Sequence, residues 1–244
     1  MFSSRLIDLI RNAGNVTALT GAGISAESGV PTFRGEEGLW KKFRPEELAS
    51  FDAFIQNPDL VLEWYNFRRS LILDVDPNPG HVALAAMERQ FDAFWLVTQN
   101  VDGLHARAGS CNILELHGNI LRSRCLECRT VTDNVTLDGS GRKTLPKCRC
   151  GGLLRPDVVW YGEMVPEKTL EQAIRVTENC DLFFSIGTSA LVQPAASLPL
   201  MAKRSGAYVV EINTDRTVIS GDVDEVLIGP SGTVLPALID ARER

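Results

Sequence analysis

The sequence predicts an α/β protein with a parallel sheet covered by helices on both faces. Short apolar, β-branched runs alternate with helical stretches along most of the chain, the pattern of parallel strands joined by crossover helices. Several of these runs end on glycines and short polar residues, as expected at the carboxyl edge of such a sheet, where ligands bind. Over residues 125–150 the apolar periodicity fades and glycine, charge and cysteine take over. A small module is therefore inserted in the sheet.

The elements follow in order. Ser3 or Ser4 can cap a first helix that puts Leu6, Ile7 and Ile10 on one face and ends at Gly14. Residues 16–20 read as a buried strand running straight into Gly21-Ala22-Gly23. Gly21, Gly23 and Ala26 satisfy the G-x-G-x-x-G/A dinucleotide fingerprint. The turn either brings backbone N–H groups up to a pyrophosphate or is a plain strand-to-helix turn. A dehydrogenase would place a second strand and an acidic ribose ligand about 20 residues further on. Here Ser28-Gly29 and Pro31 break any long helix, and residues 34–54 look like loop and helix.

Helices are expected at 45–54 and 59–73, the second capped by Asp59, with Tyr65 and Arg68 sharing a face. Pro77, Pro79 and Gly80 break the pattern before a helix over 81–89. Strands at 94–98 and 113–116 end at Gln99-Asn100-Val101-Asp102-Gly103 and at His117-Gly118. Sheet-like character returns from Leu153 through Val158-Val159-Trp160-Tyr161-Gly162-Glu163. A helix over 168–179 leads to the strand Leu182–Ile186, which lands on Gly187-Thr188-Ser189. Pro194 opens another helix, a strand at 208–212 ends at Asn213, and the strand Glu225–Ile228 precedes a last helix from about Val234.

At 244 residues the chain suits one domain with a substantial insertion. Its 44% hydrophobic and 23% charged residues are ordinary for a soluble protein. The absence of a long apolar run predicts neither secretion nor membrane insertion, hence a cytoplasmic protein. A net charge of −6 argues against nucleic-acid binding as the main task. Cys125-x2-Cys128 and Cys148-x-Cys150 pair thiolates in a segment with little apolar content. Two such pairs suit tetrahedral Zn²⁺, and an all-cysteine set with no open position makes the metal structural. Cys111 and Cys180 have no partner pattern and are expected in the core.

Taken together these segments resemble the sirtuins, the NAD-dependent protein-lysine deacylases. The resemblance rests on Gly21-Ala22-Gly23-Ile24-Ser25, Pro31-Thr32-Phe33-Arg34, Thr98-Gln99-Asn100-Val101-Asp102 and His117-Gly118, in the family's order. The four-cysteine module, Val158 to Glu163, Gly187-Thr188-Ser189 and Asn213 continue it. The family's usual second cysteine pair is Cys-x2-Cys, from which Cys148-x-Cys150 departs.

The resemblance implies a Rossmann-like domain (about 1–35, 80–120 and 155–244), a helical insertion (about 36–79) and a zinc module (about 121–154). It implies consumption of NAD, attack of the acyl oxygen on the nicotinamide ribose, and release of nicotinamide, O-acyl-ADP-ribose and free lysine. His117 would be the general base, with Asn100 and Asp102 on the ribose and nicotinamide side. Gly21, Ala22, Gly23, Ser25, Glu27, Thr32, Phe33, Arg34, Trp40, Gln99 and Val101 would complete that half of the NAD site. Gly187, Thr188, Ser189, Asn213, Thr214, Asp215, Ser231 and Gly232 would hold the adenosine half. Val159, Trp160, Tyr161, Gly162 and Glu163 match the strip where substrate backbone adds as a strand.

Tyr65 and Arg68 match a Tyr-x2-Arg pair that reads acidic acyl groups in one class of the family, with Ala49 leaving room for a longer chain. A guanidinium can pair bidentately with a succinyl or malonyl carboxylate. The implied partners are acylated lysines of proteins. The alternative enzyme is an NAD-dependent protein mono-ADP-ribosyltransferase, which would leave ADP-ribose on protein.

Overall fold

Six parallel strands make the main sheet of the protein, whose computed structural model describes residues 2–32, 45–133 and 145–243. They are β1 (Asn15–Thr20), β2 (Ala93–Thr98), β3 (Ile113–Glu115), β7 (Leu182–Ile186), β8 (Tyr208–Asn213) and β9 (Glu225–Ile228). Their order is β3-β2-β1-β7-β8-β9, the arrangement of two half-sheets wound in opposite directions from a central strand. The direction reverses between β1 and β7, which pair from Val16↔Leu182 to Thr20↔Ile186.

Strand β7 shows why the sheet is covered on both sides. Leu182, Phe184 and Ile186 join one core with Leu6 and Ile10 of α1 (Ser4–Asn12), Leu84 and Met87 of α6 (Pro79–Glu88), and Leu235 and Leu238 of α10 (Ser231–Glu243). Phe183 joins the opposite core with Ala173 of α8 (Glu167–Glu178) and Leu198 and Ala202 of α9 (Leu198–Arg204). Alternate residues point to opposite faces, and each fully buried Leu or Phe contributes about 1.5–3 kcal/mol.

Two insertions stand on this sheet. A helical one holds α3 (Pro45–Leu48), α4 (Phe51–Gln56) and α5 (Pro58–Leu73), packed on Val101, Ile120 and Trp160. The other is an antiparallel sheet β5-β4-β6, formed by β4 (Gly118–Cys125), β5 (Val131–Thr132) and β6 (Leu154–Val158). Two short helices follow strand ends, α2 (Ala22–Ala26) after β1 and α7 (Leu104–Arg107) beyond β2.

Several sequence expectations change in detail. The helix expected over 45–54 splits, because Ser50 is extended and its side chain caps α4 by accepting the Ala53 N–H at 3.1 Å. Asn57, not Asp59, caps α5. Pro79 and Gly80 lie inside α6, whose capping box is built by Asn78 and His81. The sheet-like run from Leu153 pairs with β4 rather than with the main sheet. Cys180 is buried as expected, but Cys111 is exposed.

The glycine turn also differs from a simple phosphate cradle. Gly21 N–H donates to Ile186 O at 3.0 Å and Gly23 N–H to Gly187 O at 2.8 Å. Both donors are spent on the end of β7. A Cβ on Gly23 would meet Gly187 Cα at 2.7 Å, inside any carbon–carbon contact, so the glycines are required by backbone-to-backbone packing. Gly23→Ala is expected to force β1 and β7 apart at this edge, at a cost of about 1–3 kcal/mol. Thermal unfolding should register a loss of several degrees, and an unchanged melting temperature would contradict the packing argument.

Candidate functional site

The carboxyl ends of β1, β2, β7 and β8 open into one cleft of about 690 Å³, reaching from the glycine turn to the helical insertion. Gly21, Ala22, Gly23 and Glu27 line it after β1, with Thr32 nearby. Gln99, Asn100 and Val101 enter after β2, and His117 after β3. Gly187, Thr188 and Ser189 follow β7; Asn213, Thr214 and Asp215 follow β8; Ser231 stands at the start of α10. Ala49, Tyr65 and Arg68 of the helical insertion face Val159, Trp160, Tyr161, Gly162 and Glu163 in the same cleft. The structure thus gathers residues separated by most of the chain.

Three expected residues lie just behind the wall. Ser25 and Asp102 are buried beneath the cleft. Gly232 is held beside Ser231, since the Gly232 N–H and the Ser231 hydroxyl both donate to Glu27 Oε1. Phe33, Arg34 and Trp40 lie outside the described residues.

His117 sits half-buried with Nδ1 3.0 Å from Gln99 O. A carbonyl only accepts, so Nδ1 carries the hydrogen and Nε2 keeps its lone pair. Burial lowers the His117 pKa, with the Gln99 carbonyl pulling partly the other way. The ring is a neutral base at neutral pH. Asn100 donates its side-chain hydrogens to Gly21 O at 3.0 Å and Ser25 Oγ at 3.2 Å. Its amide oxygen is the group left for a ligand.

Under this layer runs a buried polar network that the sequence did not suggest. Ser25 donates to Asp102 Oδ2 at 2.8 Å, and the Leu104 N–H donates to Oδ1 at 2.9 Å. Burial raises the Asp102 pKa against the opposing pull of Leu104, Ser25 and Arg68. His81 Nδ1 accepts the Asn78 N–H at 3.3 Å, which turns its Nε2–H toward Ser25 Oγ, 3.4 Å away. His105 Nε2 lies 2.9 Å from Thr20 Oγ1, and the Thr20 hydroxyl donates to Thr98 Oγ1. The two imidazoles pack against each other, tilted by 56° with centroids 4.7 Å apart. A lone histidine in a helix carries no pattern that would have revealed this pairing.

At the helical insertion the cleft is lined by aromatic rings. Tyr65 and Arg68 are 1% and 7% exposed. Trp160 Nε1–H donates to Tyr65 Oη at 2.8 Å, and Arg68 lies over the Trp64 ring at 4.9 Å. Burial lowers the Arg68 pKa, with Tyr65 and Asp102 opposing. The strip from Val159 to Glu163 is tied to the helical insertion by the Tyr161 N–H, which donates to Ala49 O at 2.9 Å. Ala49 is free to meet it because the chain is extended at Ser50. Arg155, unnoticed in the sequence, pairs with Glu163 and covers the Trp160 face at 3.4 Å.

The metal site lies apart from the cleft. The four sulfurs of Cys125, Cys128, Cys148 and Cys150 fall within 4.8 Å of one another, with Cys125–Cys150 at 3.5 Å and Cys128–Cys148 at 3.7 Å. Tetrahedral zinc with Zn–S bonds of about 2.3 Å would set sulfurs about 3.8 Å apart. The Cys-x-Cys spacing therefore closes the site as well as two longer loops would. Gly152 packs so tightly that a Cβ there would lie 2.8 Å from Cys125 Sγ. Donor chemistry and geometry fit one structural zinc ion.

A family model described as the Sir2 family matches residues 21–194. An NAD-dependent protein deacylase of Aquifex aeolicus is 52% identical over 86% of this chain and 87% of its own. One from Pyrococcus abyssi is 47% identical over 95% of this chain and 94% of its own. Among solved structures, a mutant Sir2 homologue with ADP ribose has a TM-score of 0.94 at 44% identity, covering 99% of this chain and 97% of that one. A Sir2 homolog–NAD complex has a TM-score of 0.92 at 44% identity, covering 100% and 95%. Sir2 bound to acetylated peptide has a TM-score of 0.88 at 29% identity, covering 98% of each chain.

The two buried imidazoles make stability depend on pH. Burial lowers the His81 pKa to about 4 from 6.5 and puts His105 well below its usual value, His81 adding to the effect on His105. Both groups are depressed in the folded state, so their contribution is complete above pH 6.5 and is lost as pH falls toward 4. For His81 the loss is roughly 3 kcal/mol at about 1.36 kcal/mol per unit. Denaturant unfolding between pH 7 and 5 should show stability falling with pH, and His81→Asn should flatten that slope. An equal slope in the variant would assign the dependence to other groups.

Proposed function

The chain belongs to the Sir2 family, and from that membership we infer an NAD-dependent protein-lysine deacylase; we propose that it removes acidic acyl groups, succinyl and malonyl, in preference to acetyl. One observation supports the preference: a buried guanidinium, Arg68, lines the cleft together with Tyr65. A cation in that position has lost most of its hydration. An ionised carboxylate replaces it with a charge-assisted, bidentate partner, whereas an acetyl methyl offers nothing.

The residues divide into tasks. Bound NAD supplies a ribose whose C1′ accepts the acyl oxygen as nicotinamide departs. His117, neutral and with Nε2 open, takes the proton of a ribose hydroxyl as general base, its ring held by Gln99 O. The Asn100 amide oxygen orients the ribose side. Asp102 acts from behind, fixing Ser25, which in turn receives an Asn100 amide hydrogen. Gly187, Thr188, Ser189 and Asn213 form the adenosine half, where Asn213 Nδ2 donates to Thr188 O at 3.0 Å. The strip from Val159 to Glu163 pairs with substrate backbone. The four cysteines would hold one structural zinc away from these steps, beside β4 and β6.

Steady-state assays on otherwise identical acetyl- and succinyl-lysine peptides test both assignments. Arg68→Met should lower kcat/KM for the succinyl peptide by roughly 100-fold or more, the scale of breaking a buried charge pair, and affect the acetyl peptide far less. Equal losses on both would make Arg68 structural and remove the acidic preference. His117→Ala should slow both peptides by roughly 10²–10⁴-fold. A folded His117→Ala enzyme with near-normal turnover would exclude it as the base.

A further inference from the structure

Resting on the acidic-acyl reading above, we propose that Trp160 determines acyl specificity by fixing which way the Tyr65 hydroxyl donates. The indole N–H can only donate, and it donates to Tyr65 Oη at 2.8 Å. The phenolic oxygen is thereby used as an acceptor on the Trp160 side, and its one hydrogen must point elsewhere. Among the described residues no acceptor takes that hydrogen. Tyr65 lines the cleft beside Arg68, so the cleft receives an O–H donor next to a cation. An ionised carboxylate is acceptor-only, and this pair is its complement. Without the indole donor the hydroxyl could turn, presenting a lone pair to the same carboxylate.

The indole is held so that it can do this. The Arg155 guanidinium lies 3.4 Å over its ring, and Phe54 packs against it with centroids 5.3 Å apart. Arg155 is itself fixed by both Glu163 carboxylate oxygens and by Val158 O at 2.7 Å. Glu163 also accepts the Trp160 N–H of the backbone at 2.8 Å. Ring and backbone of Trp160 are thus clamped by the same ion pair. Neither Arg155 nor Trp160 needs to touch the acyl carboxylate; Trp160 acts through Tyr65, as a positioning residue.

The test is a double-mutant cycle on the succinyl-to-acetyl ratio of kcat/KM, with melting temperatures measured alongside. Trp160→Phe keeps a ring and removes the N–H. The ratio should fall roughly 2–12-fold, the worth of one neutral hydrogen bond, and the loss should appear in KM for the succinyl peptide. In a Tyr65→Phe background, which has no hydroxyl to orient, Trp160→Phe should leave the ratio unchanged. A structural role would lower the ratio equally in both backgrounds, and that result, or no change in either, overturns the proposal. Arg68→Met separates the two levels. If it leaves the ratio intact, the acidic-acyl reading fails; if it collapses the ratio while Trp160→Phe does not, only the role of Trp160 fails. Should Trp160→Phe not fold, the benzothiophene analogue of tryptophan at position 160 replaces N–H by sulfur in the same shape, with the same expected result.

Discussion

The contact of the Gly21–Gly23 turn with Gly187 is the constraint on which the cleft depends. Here two backbones meet without side chains between them, at the point where the strand order reverses. The Gly187 N–H also donates to Ile212 O at 2.9 Å, so the ends of β1, β7 and β8 are locked into one rim. A side chain on any of these glycines would wedge the rim open. Close approach, more than an outward row of N–H groups, explains the glycines at 21 and 23.

Beneath that rim the protein keeps a group of polar side chains buried. Ser25 joins Asp102 and His81, Thr20 joins Thr98 and His105, and Asn100 bonds to both Ser25 and Thr98, all with low exposure. Unpaired buried polar groups cost about 1–3 kcal/mol each, so a network this deep holds its members in fixed orientations. Asn100 is the output of that rigidity, because its amide hydrogens are committed inward and its oxygen is left to the cleft. His117 is oriented separately, by a carbonyl at the end of β2.

The helical and four-cysteine insertions flank the end of the cleft lined by Tyr65 and Trp160. They meet through the Ser50–Tyr161 bridge, the Tyr161–Ala49 hydrogen bond, the Trp160–Tyr65 contact and the hydrogen bonds of Arg69 to Ile120 O and Arg122 O. The break between α3 and α4 at Ser50 is what frees Ala49 O to accept from Tyr161. The four cysteines would hold zinc beside the paired β4 and β6, which carry the strip leading to Trp160.

Sequence alone determined the alternation of strands and helices, the two exact strand spans Leu182–Ile186 and Glu225–Ile228, and the cysteine cluster. Apolar period, turn residues and thiolate spacing are local quantities, so a linear reading recovers them. Gly21, Gln99, His117 and Gly187 stand just beyond strand ends and Asn213 at the end of one, where a linear reading can place them. Tertiary structure alone decided that β6 leaves the main sheet, that Ser50 breaks a helix, and that Asp102 and Ser25 work from behind the cleft. It also decided the pairing of His81 with His105, the clamp of Arg155 on Trp160, and the donor that turns the Tyr65 hydroxyl. These are meetings between residues tens of positions apart. Hydrogen-bond direction and desolvation depend on what lies across the gap, and no local pattern encodes that.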